Sequence, residues 1–531
     1  MKLSKLLEKA EIAFLVAGLS WLVLSVISIY LLKYGPALLS PALVLALIVI
    51  SSNILKQHLK LQTVLTFVIV FSIVGFYIIV KSDLEALPKL VSCVFLLYAT
   101  TKAVSSFCKI ENQYGLLILR GKAGIALLDE VASAHKNLWK TFADIGLVLG
   151  FGLPSIFMNR KMGWRVYLAS LILLVFFILF VMPTILPITF SVINLPITFR
   201  SATAQYGSSS DYVWYGMLAI LLIGGLSTAT VAGLIMQGLY ILLTLIAALF
   251  FGIKEPMSKA TPGASLLLPG INIDFISGIA AIAVLLFVHE FSHGVLSRVM
   301  RIPVTSTGLV FFGILPFGAF VDPDEKELQK KDKVKQTRVL VAGSAANLLV
   351  SLISMFLLFS LLLITEPYED RRVFLAEVDN KTIERTAIIS INGYPIHESE
   401  DYKNAVGFNP GTLVNITTEK GSIVRVADEN GKIGILVSNK IGSNIVFRVF
   451  GRMHVIPPAY KDGFEWISFF YSFLALSFVL NFLIGSVNLL PIPAFDGFRI
   501  LELNIDRRIM NIIVLAVVLS FLANFLPWLW I

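Results

Sequence analysis

His289 and His293 stand four residues apart, with Glu290 directly after the first, in the run His289-Glu290-Phe291-Ser292-His293. On a helix, positions i and i+4 share a face, so the two imidazoles project together. Adjacent imidazoles suit Zn²⁺, which takes nitrogen ligands at about 2.0–2.1 Å in tetrahedral geometry. A glutamate beside the first ligand reaches a metal-bound water as general base. The run lies near the C-terminal end of segment 276–300, and residues 276–288 hold no charge and nothing more polar than Ser277. So apolar a helix belongs in a bilayer. Ionisable groups are expensive there, and they mark function by default. The bland alternative is a buried His pair with a chance glutamate.

A catalytic zinc needs a third protein ligand and one open position. Acids are scarce in the apolar segments. The best candidate is Asp496, in Asn488-Leu489-Leu490-Pro491-Ile492-Pro493-Ala494-Phe495-Asp496-Gly497. Pro491 and Pro493 must break the long apolar helix before it. The competing reading makes Asp496 a cap for the last helix, since Asp before Gly is ordinary turn chemistry.

The elements that must position these residues are mostly membrane helices. Of 531 residues, 57% are hydrophobic and 15% charged. Soluble domains run nearer 25% charged, so this is a polytopic membrane protein. The net charge of +9 does not imply nucleic acid, because much of the excess base sits in short loops, where Lys and Arg set topology. Cys93 and Cys108 carry no paired motif and imply neither a disulfide framework nor a zinc site. Segment 12–32 is long enough to span and reads as an uncleaved anchor.

Further apolar segments are 37–55, 62–80, 88–107, 142–157, 166–186, 213–251, 339–364, 466–490 and 509–530. Segment 213–251 reads as one crossing with a re-entrant part or as two crossings; one is preferred. Residues 109–140 carry a basic, polar-apolar helical pattern and read as a cytoplasmic segment at the membrane surface. Residues 305–320 are rich in Gly and β-formers, are interrupted by Pro316, and read as a short hairpin. Irregular backbone at membrane depth must be buried in protein or line a wet cavity, and the cavity is the reading preferred beside the metal helix. Residues 366–462 form the only long soluble insertion, with strands around Asn392-Gly393 and Lys420-Gly421 and a short helix at 401–406. Two Asn-x-Ser/Thr sequons, at Asn380 and Asn415, fall in it and point outside.

Together, the His-Glu-x-x-His helix and the late Asn-x-x-Pro…Asp-Gly motif resemble the site-2 protease family of intramembrane zinc metalloproteases. Gly343-Ser344-Ala345-Ala346-Asn347 looks like that family's Gly-x-x-x-Asn packing motif, with Ser344 where proline is common. Gly308 to Phe320 looks like its membrane re-entrant β-loop. The insertion is similar to a PDZ domain, and 318–325 resembles the archaeal branch. The resemblance covers about residues 110–500. It implies one Zn²⁺ held by His289, His293 and Asp496, Glu290 as catalytic base, and Asn488 holding the substrate backbone. The edge of the hairpin, at Gly308 and Leu309, would pair with an extended substrate strand. No Gly-containing carboxylate-binding loop is evident in the insertion, so a size filter over the site is the safer role for it.

The expected fold is thus a polytopic α-helical membrane protein with a membrane re-entrant β-hairpin and an inserted small PDZ-like α+β domain. Its parts are accessory spans in 1–108, the surface segment 109–140, spans and outer loops in 141–272, the metalloprotease core 273–364, the insertion 365–463 and the closing spans 464–531. The expected partners are the lipid bilayer and membrane-protein substrates with a transmembrane segment, and not nucleic acid. With the N-terminus inside, 109–140 and 322–338 fall inside and 366–462 outside, in a multi-pass protein of the cell membrane with its active site near the cytoplasmic face. The basic loop 159–165 then lands outside, against the bias. Rival readings are a membrane zinc protease that trims lipidated C-termini, whose third ligand is typically glutamate, and a non-catalytic receptor working through the PDZ-like domain. A metal transporter would want ligands spread over several spans, but His58, His135, His397 and His454 lie outside the apolar cores.

Overall fold

The computed structural model describes residues 61–193, 211–438 and 458–529, less 83–85, 114, 123, 254–256, 258–259, 261, 265–266, 271, 371, 379–380 and 398. The expected segments 12–32 and 37–55 lie outside these residues. In chain order the elements begin with helices α1 (Leu61–Lys81) and α2 (Ala86–Cys108) and strands β1 (Glu111–Gln113) and β2 (Leu116–Gly121). Helices α3 (Ile125–Ala134), α4 (Lys136–Phe151), α5 (Trp164–Phe176), α6 (Met182–Val192) and α7 (Asp211–Phe251) follow. The helix with the paired histidines is α8 (Phe275–Val299), and β3 (Val304–Phe312), β4 (Leu315–Pro323) and α9 (Lys333–Thr365) come after it. The insertion holds β5 (Phe374–Val378), β6 (Lys381–Ile391), β7 (Tyr394–Pro395), α10 (Ser399–Ala405), β8 (Leu413–Thr418), β9 (Gly421–Val426) and β10 (Ile435–Ser438). The chain closes with α11 (Ile467–Val487), α12 (Asp496–Glu502) and α13 (Arg507–Ala523).

Among the described residues, six helices are long and apolar enough to cross a membrane: Val91–Cys108, Trp164–Ile185, Ala219–Phe251, Phe275–Val299, Lys333–Tyr368 and Ile467–Val487. This is the pattern of a polytopic helical membrane protein. Three expected segments are not among the six. Segment 62–80 lies in α1, of which Val68–Ile79 is a shorter apolar helix. Segment 142–157 becomes α4, which stops at Phe151 and is not among the six, because Gly152 turns the chain at φ 59°. Segment 509–530 is helical only to Ala523, and Pro527 sits in a separate 3-10 turn, Leu526–Leu529. Segment 213–251 is two helical stretches that meet at a non-helical kink at Gly225 (φ 67°, ψ −167°). A Cβ on Gly225 would meet the Gly150 carbonyl at 2.5 Å, and one on Gly152 would meet Leu222 O at 2.5 Å. Leu222 O accepts a bond from Leu153 N (3.1 Å), so the kink leaves that carbonyl satisfied.

The first of two compact units comprises residues 1–144 and 267–346. It contains a four-stranded antiparallel sheet in the order β1-β2-β3-β4. Here the structure corrects two expectations. Part of 109–140 is strand rather than helix, and the hairpin is the outer half of a larger sheet. β2 pairs with β3 from Leu117↔Phe311 to Gly121↔Thr307. The run Leu116-Leu117-Ile118-Leu119 is too short for periodicity to decide, and its partner strand lies far downstream. Helix α8 packs closely on this unit: a Cβ on Gly294 would lie 2.8 Å from Leu128 of α3 and 3.1 Å from Val321 of β4. Arg298, in the last turn of α8, pairs with Asp129 of α3. Near the start of α9, Arg338 grips Asp144 with two bonds of 2.8 Å. The pair is nearly enclosed, with side chains 13% and 7% exposed.

The second unit comprises residues 145–266 and 347–531. Its insertion is a small α+β domain with sheet order β10-β5-β6-β8-β9 and β7 paired to β6. Val373, Leu375, Ile388, Ile391, Val414 and Ile416 are part of its buried core. Asn392 (φ 49°) and Gly393 (φ 81°) make the tight β6–β7 turn, the left-handed pair that an Asn-Gly hairpin turn requires. On the surface, Arg372 bonds Asp370 and Glu419.

Two outcomes follow from these ion pairs. Asp144→Asn leaves the Arg338 guanidinium buried without its carboxylate and should cost about 3–5 kcal/mol, read as a lower unfolding temperature of the full chain. At Asp370, burial opposes ionisation, but bonds from the Arg372 side chain and backbone N–H outweigh it and hold the carboxyl below its ordinary 3.8. A carboxylate so lowered stabilises the fold above its unfolded pKa, and that contribution is lost as pH falls through the folded value. Calorimetry of the full chain should therefore show a domain unfolding step that is steady down to about pH 4 and weakens below it, less so in Asp370→Asn.

Candidate metal centre

Helix α8 starts at an Asp274 cap, whose carboxylate accepts from Ser277 N (2.9 Å) and Ser277 Oγ (2.6 Å). The cap fixes the helix's start, and the helical repeat then brings positions 289 and 293 to one face. His293 Nδ1 lies 2.8 Å from the Val339 carbonyl. A carbonyl only accepts, so Nδ1 carries the proton and, in the neutral ring, Nε2 holds a lone pair. That Nε2 is 3.3 Å from His289 Nε2, with the rings 69° apart in plane. Tetrahedral ligands at about 2.0–2.1 Å from zinc are separated by about 3.3–3.4 Å. The spacing of the two nitrogens is therefore that of one edge of a zinc coordination sphere.

Gly343 of α9 forms the wall of this cradle. A Cβ there would stand 2.5 Å from both Nε2 atoms. The packing glycine of Gly343-Ser344-Ala345-Ala346-Asn347 thus clears space for the two ring nitrogens. Glu290 points to the sheet, where its Oε2 accepts from Val321 N (3.0 Å). Val321 belongs to β4, whose other edge is taken by β3. The general-base candidate thus contacts the outer edge of β4, one of the two edge strands of the sheet.

Asp496 begins α12, at the end of a loop that closes on itself. Asn488 Nδ2 donates to Asp496 Oδ2 at 2.6 Å, and Gly497 N donates to Asn488 O at 2.9 Å. A Cβ on Gly497 would clash with the Leu489 carbonyl at 2.1 Å, so only glycine closes the loop. Ser227 Oγ holds the Leu489 carbonyl from outside (2.7 Å), and Ala494 takes a left-handed φ of 82°. Asn488, read from the motif as a substrate-backbone contact, has its amide engaged on Asp496, where it sets the carboxylate's orientation. His289 and His293 offer their two ring nitrogens from the first unit, and Asp496, the third ligand that the resemblance implies, belongs to the second. Two histidines and a carboxylate fit zinc as donors.

Gly308 and Leu309 stand differently from the sequence reading. They sit on β3, an inner strand, with Gly308 paired to Arg120 and Phe320 and Leu309 to Leu119 and Ala319. Both edges of that strand are used, so neither residue offers backbone to an added strand. Of the two hairpin strands, it is β4 whose outer edge pairs with no further strand among the described residues. Sequence reasoning missed the Val339 carbonyl and the Val321 amide, because backbone groups leave no side-chain signal. It also missed the Arg338–Asp144 pair, whose partners are far apart in the chain.

A paired-histidine helix with an adjoining glutamate, carried by a polytopic membrane protein, defines a membrane metallopeptidase class of site. Residues 277–526 match the family model for Peptidase family M50, the site-2 protease family. Family M50 proteases are typically zinc-dependent. The chain is also similar to the protein named "Uncharacterized protein MJ0971" of Methanocaldococcus jannaschii, at 28% identity over 273 residues, which cover 50% of this chain and 67% of the relative.

If Gly343 serves to clear the imidazoles, Gly343→Ala must push them apart. We expect zinc stoichiometry, measured by elemental mass spectrometry on the purified full chain, to fall well below that of wild type while the far-ultraviolet helical signal is kept.

Proposed function

We propose that this protein is an intramembrane zinc metalloprotease that hydrolyses peptide bonds within or beside transmembrane segments of membrane-anchored proteins, in the manner of the site-2 proteases. The observation that carries the reading is the His289–His293 nitrogen pair at zinc-edge spacing, with Glu290 next to it in the chain. His289, His293 and Asp496 would hold the ion. Zinc there would supply Lewis-acid activation of water and of the scissile carbonyl. The chain's own residues do the rest. Glu290 takes a proton from the attacking water and delivers it to the leaving amine as the peptide bond breaks. Asn488 holds the Asp496 carboxylate and, on the resemblance, also meets the substrate backbone.

A helical substrate hides its carbonyls in hydrogen bonds and must unwind before attack. The free edge of β4 offers an unwound segment a strand to pair with, next to Glu290. In antiparallel alternation, Ala319 shares that edge with Val321. This moves the pairing role expected of Gly308 and Leu309 to the adjacent strand of the same hairpin. The hairpin is read as membrane re-entrant and the α+β insertion as PDZ-like, acting as a size filter over the site. The archaeal branch is favoured by the 318–325 motif and by the Methanocaldococcus relative. Lys326, Lys330 and Lys331 lie between β4 and α9, and Lys333 and Lys335 lie in the first turn of α9. By the positive-inside bias this puts the histidines toward the cytoplasm and the insertion outside, in a multi-pass protein of the cell membrane. The rival that trims lipidated C-termini calls for a glutamate as third ligand, whereas the late motif here supplies Asp496. The receptor rival leaves the Glu290–Val321 contact without use.

In the reconstituted, zinc-loaded chain offered a truncated single-span substrate, Glu290→Gln should lower kcat by about a hundredfold or more with zinc still bound. Full zinc-dependent cleavage by that variant would refute the assignment.

A further inference from the structure

Helices α1 and α2 lie outside the matched segment 277–526, yet they are built into the first unit with the sheet and the metal helix. Their buried core includes Val68, Phe76, Cys93, Leu96, Leu97 and Phe107. Packed on it are Phe311, Phe312, Ile314 and Leu315 from the β3–β4 tip, and Phe275, the first residue of α8. Phe76 and Phe275 meet with ring centroids 5.4 Å apart. One cluster thus joins the helix pair, the hairpin tip and the start of the metal helix.

The polar contacts are specific. Thr101 Oγ1 accepts from Gly313 N, in the hairpin turn, at 2.8 Å and in a buried setting. Gly313 takes φ 62°, and a Cβ there would lie 2.8 Å from Leu97 Cα and Leu97 O. The turn therefore rests directly on the α2 backbone. One residue before Thr101, Thr100 bonds Ser72 of α1 (2.6 Å), which locks the two helices together. In an apolar setting the Gly313 amide has no water to fall back on, so this bond is costly to lose. The strand that leaves the turn is β4, and its far end is held by Glu290 at Val321 N.

We propose that α1 and α2 position the substrate-binding edge: they clamp the hairpin turn so that β4, held at one end by Thr101 through the turn and at the other by Glu290, presents one fixed edge to an unwound transmembrane segment. Thr101 is the positioning residue, acting through Gly313. The assignment of β4 as the substrate edge rests on the protease reading. The mechanical clamp does not.

The test uses the full zinc-loaded chain in detergent, with hydrogen exchange followed by mass spectrometry on wild type, Thr101→Val and Thr101→Ser. Thr101→Val should speed exchange over 313–320 by about tenfold, the loss expected from one buried hydrogen bond. Exchange over 285–299 and the zinc content should stay at wild-type values, and Thr101→Ser, which keeps the acceptor oxygen, should restore the slow rate. Gly313→Ala, which forces the turn off Leu97 and leaves Thr101 in place, should act as Thr101→Val does. With a single-span substrate, Thr101→Val should raise KM and leave kcat near wild type. Wild-type exchange over 313–320 in both Thr101→Val and Gly313→Ala would overturn the clamp. Faster exchange with equal KM would overturn its role in substrate positioning. Absence of cleavage by wild type would instead count against the protease reading and leave the exchange result standing.

Discussion

Two imidazole nitrogens held 3.3 Å apart in an apolar helix are the constraint on which the rest of the first unit depends. Neither ring finds that geometry by itself. The Val339 carbonyl fixes the His293 tautomer, and Gly343 leaves the space beside both nitrogens. Both come from α9, so the position of α9 against α8 sets the donor geometry. A ligand whose other nitrogen is bonded to a backbone carbonyl is oriented before any ion arrives. The Arg338–Asp144 pair, one residue from Val339, anchors the same end of α9 to α4.

The sheet solves a second problem. Strands packed against helices carry backbone groups that must find partners. Here β2 covers one side of β3 and β4 the other. The outer edge of β4 meets the glutamate of the metal helix, so at Val321 a backbone amide is bonded to the very residue proposed as the base. Base and strand edge therefore hold their positions together. A strand added along that edge would lie beside the histidine helix rather than at an arbitrary distance from it.

Close backbone approach, bought with glycine, recurs at each joint. Gly343 lets α9 meet the histidines, Gly294 lets α8 meet α3 and β4, and Gly497 closes the Asp496 loop onto Leu489. In the second unit Gly150, Gly152 and Gly225 allow α4 and α7 to touch backbone to backbone. Small residues at such contacts replace the hydrophobic drive that lipid cannot supply between helices.

The pairing of the two histidines on one face was legible in the sequence because residue type and helical spacing are local properties. His289, Glu290 and His293 needed only the i, i+4 rule, and the Asn392-Gly393 and Lys420-Gly421 turns needed only local turn chemistry. The long apolar helices were legible for the same reason, since length and composition report the solvent. What the sequence could not carry was pairing between distant segments. That Leu116–Gly121 is a strand, that Gly308 and Leu309 lie inside the sheet, and that Thr101 meets Gly313 all depend on neighbours far away in the chain. Backbone groups such as the Val339 carbonyl and the Val321 amide are the same in every residue and become functional only by position. Residue types and spacing determined which groups are candidates for the chemistry; only the tertiary structure decided which strand edge, which carbonyl and which glycine hold them in place, because those choices are contacts made in space.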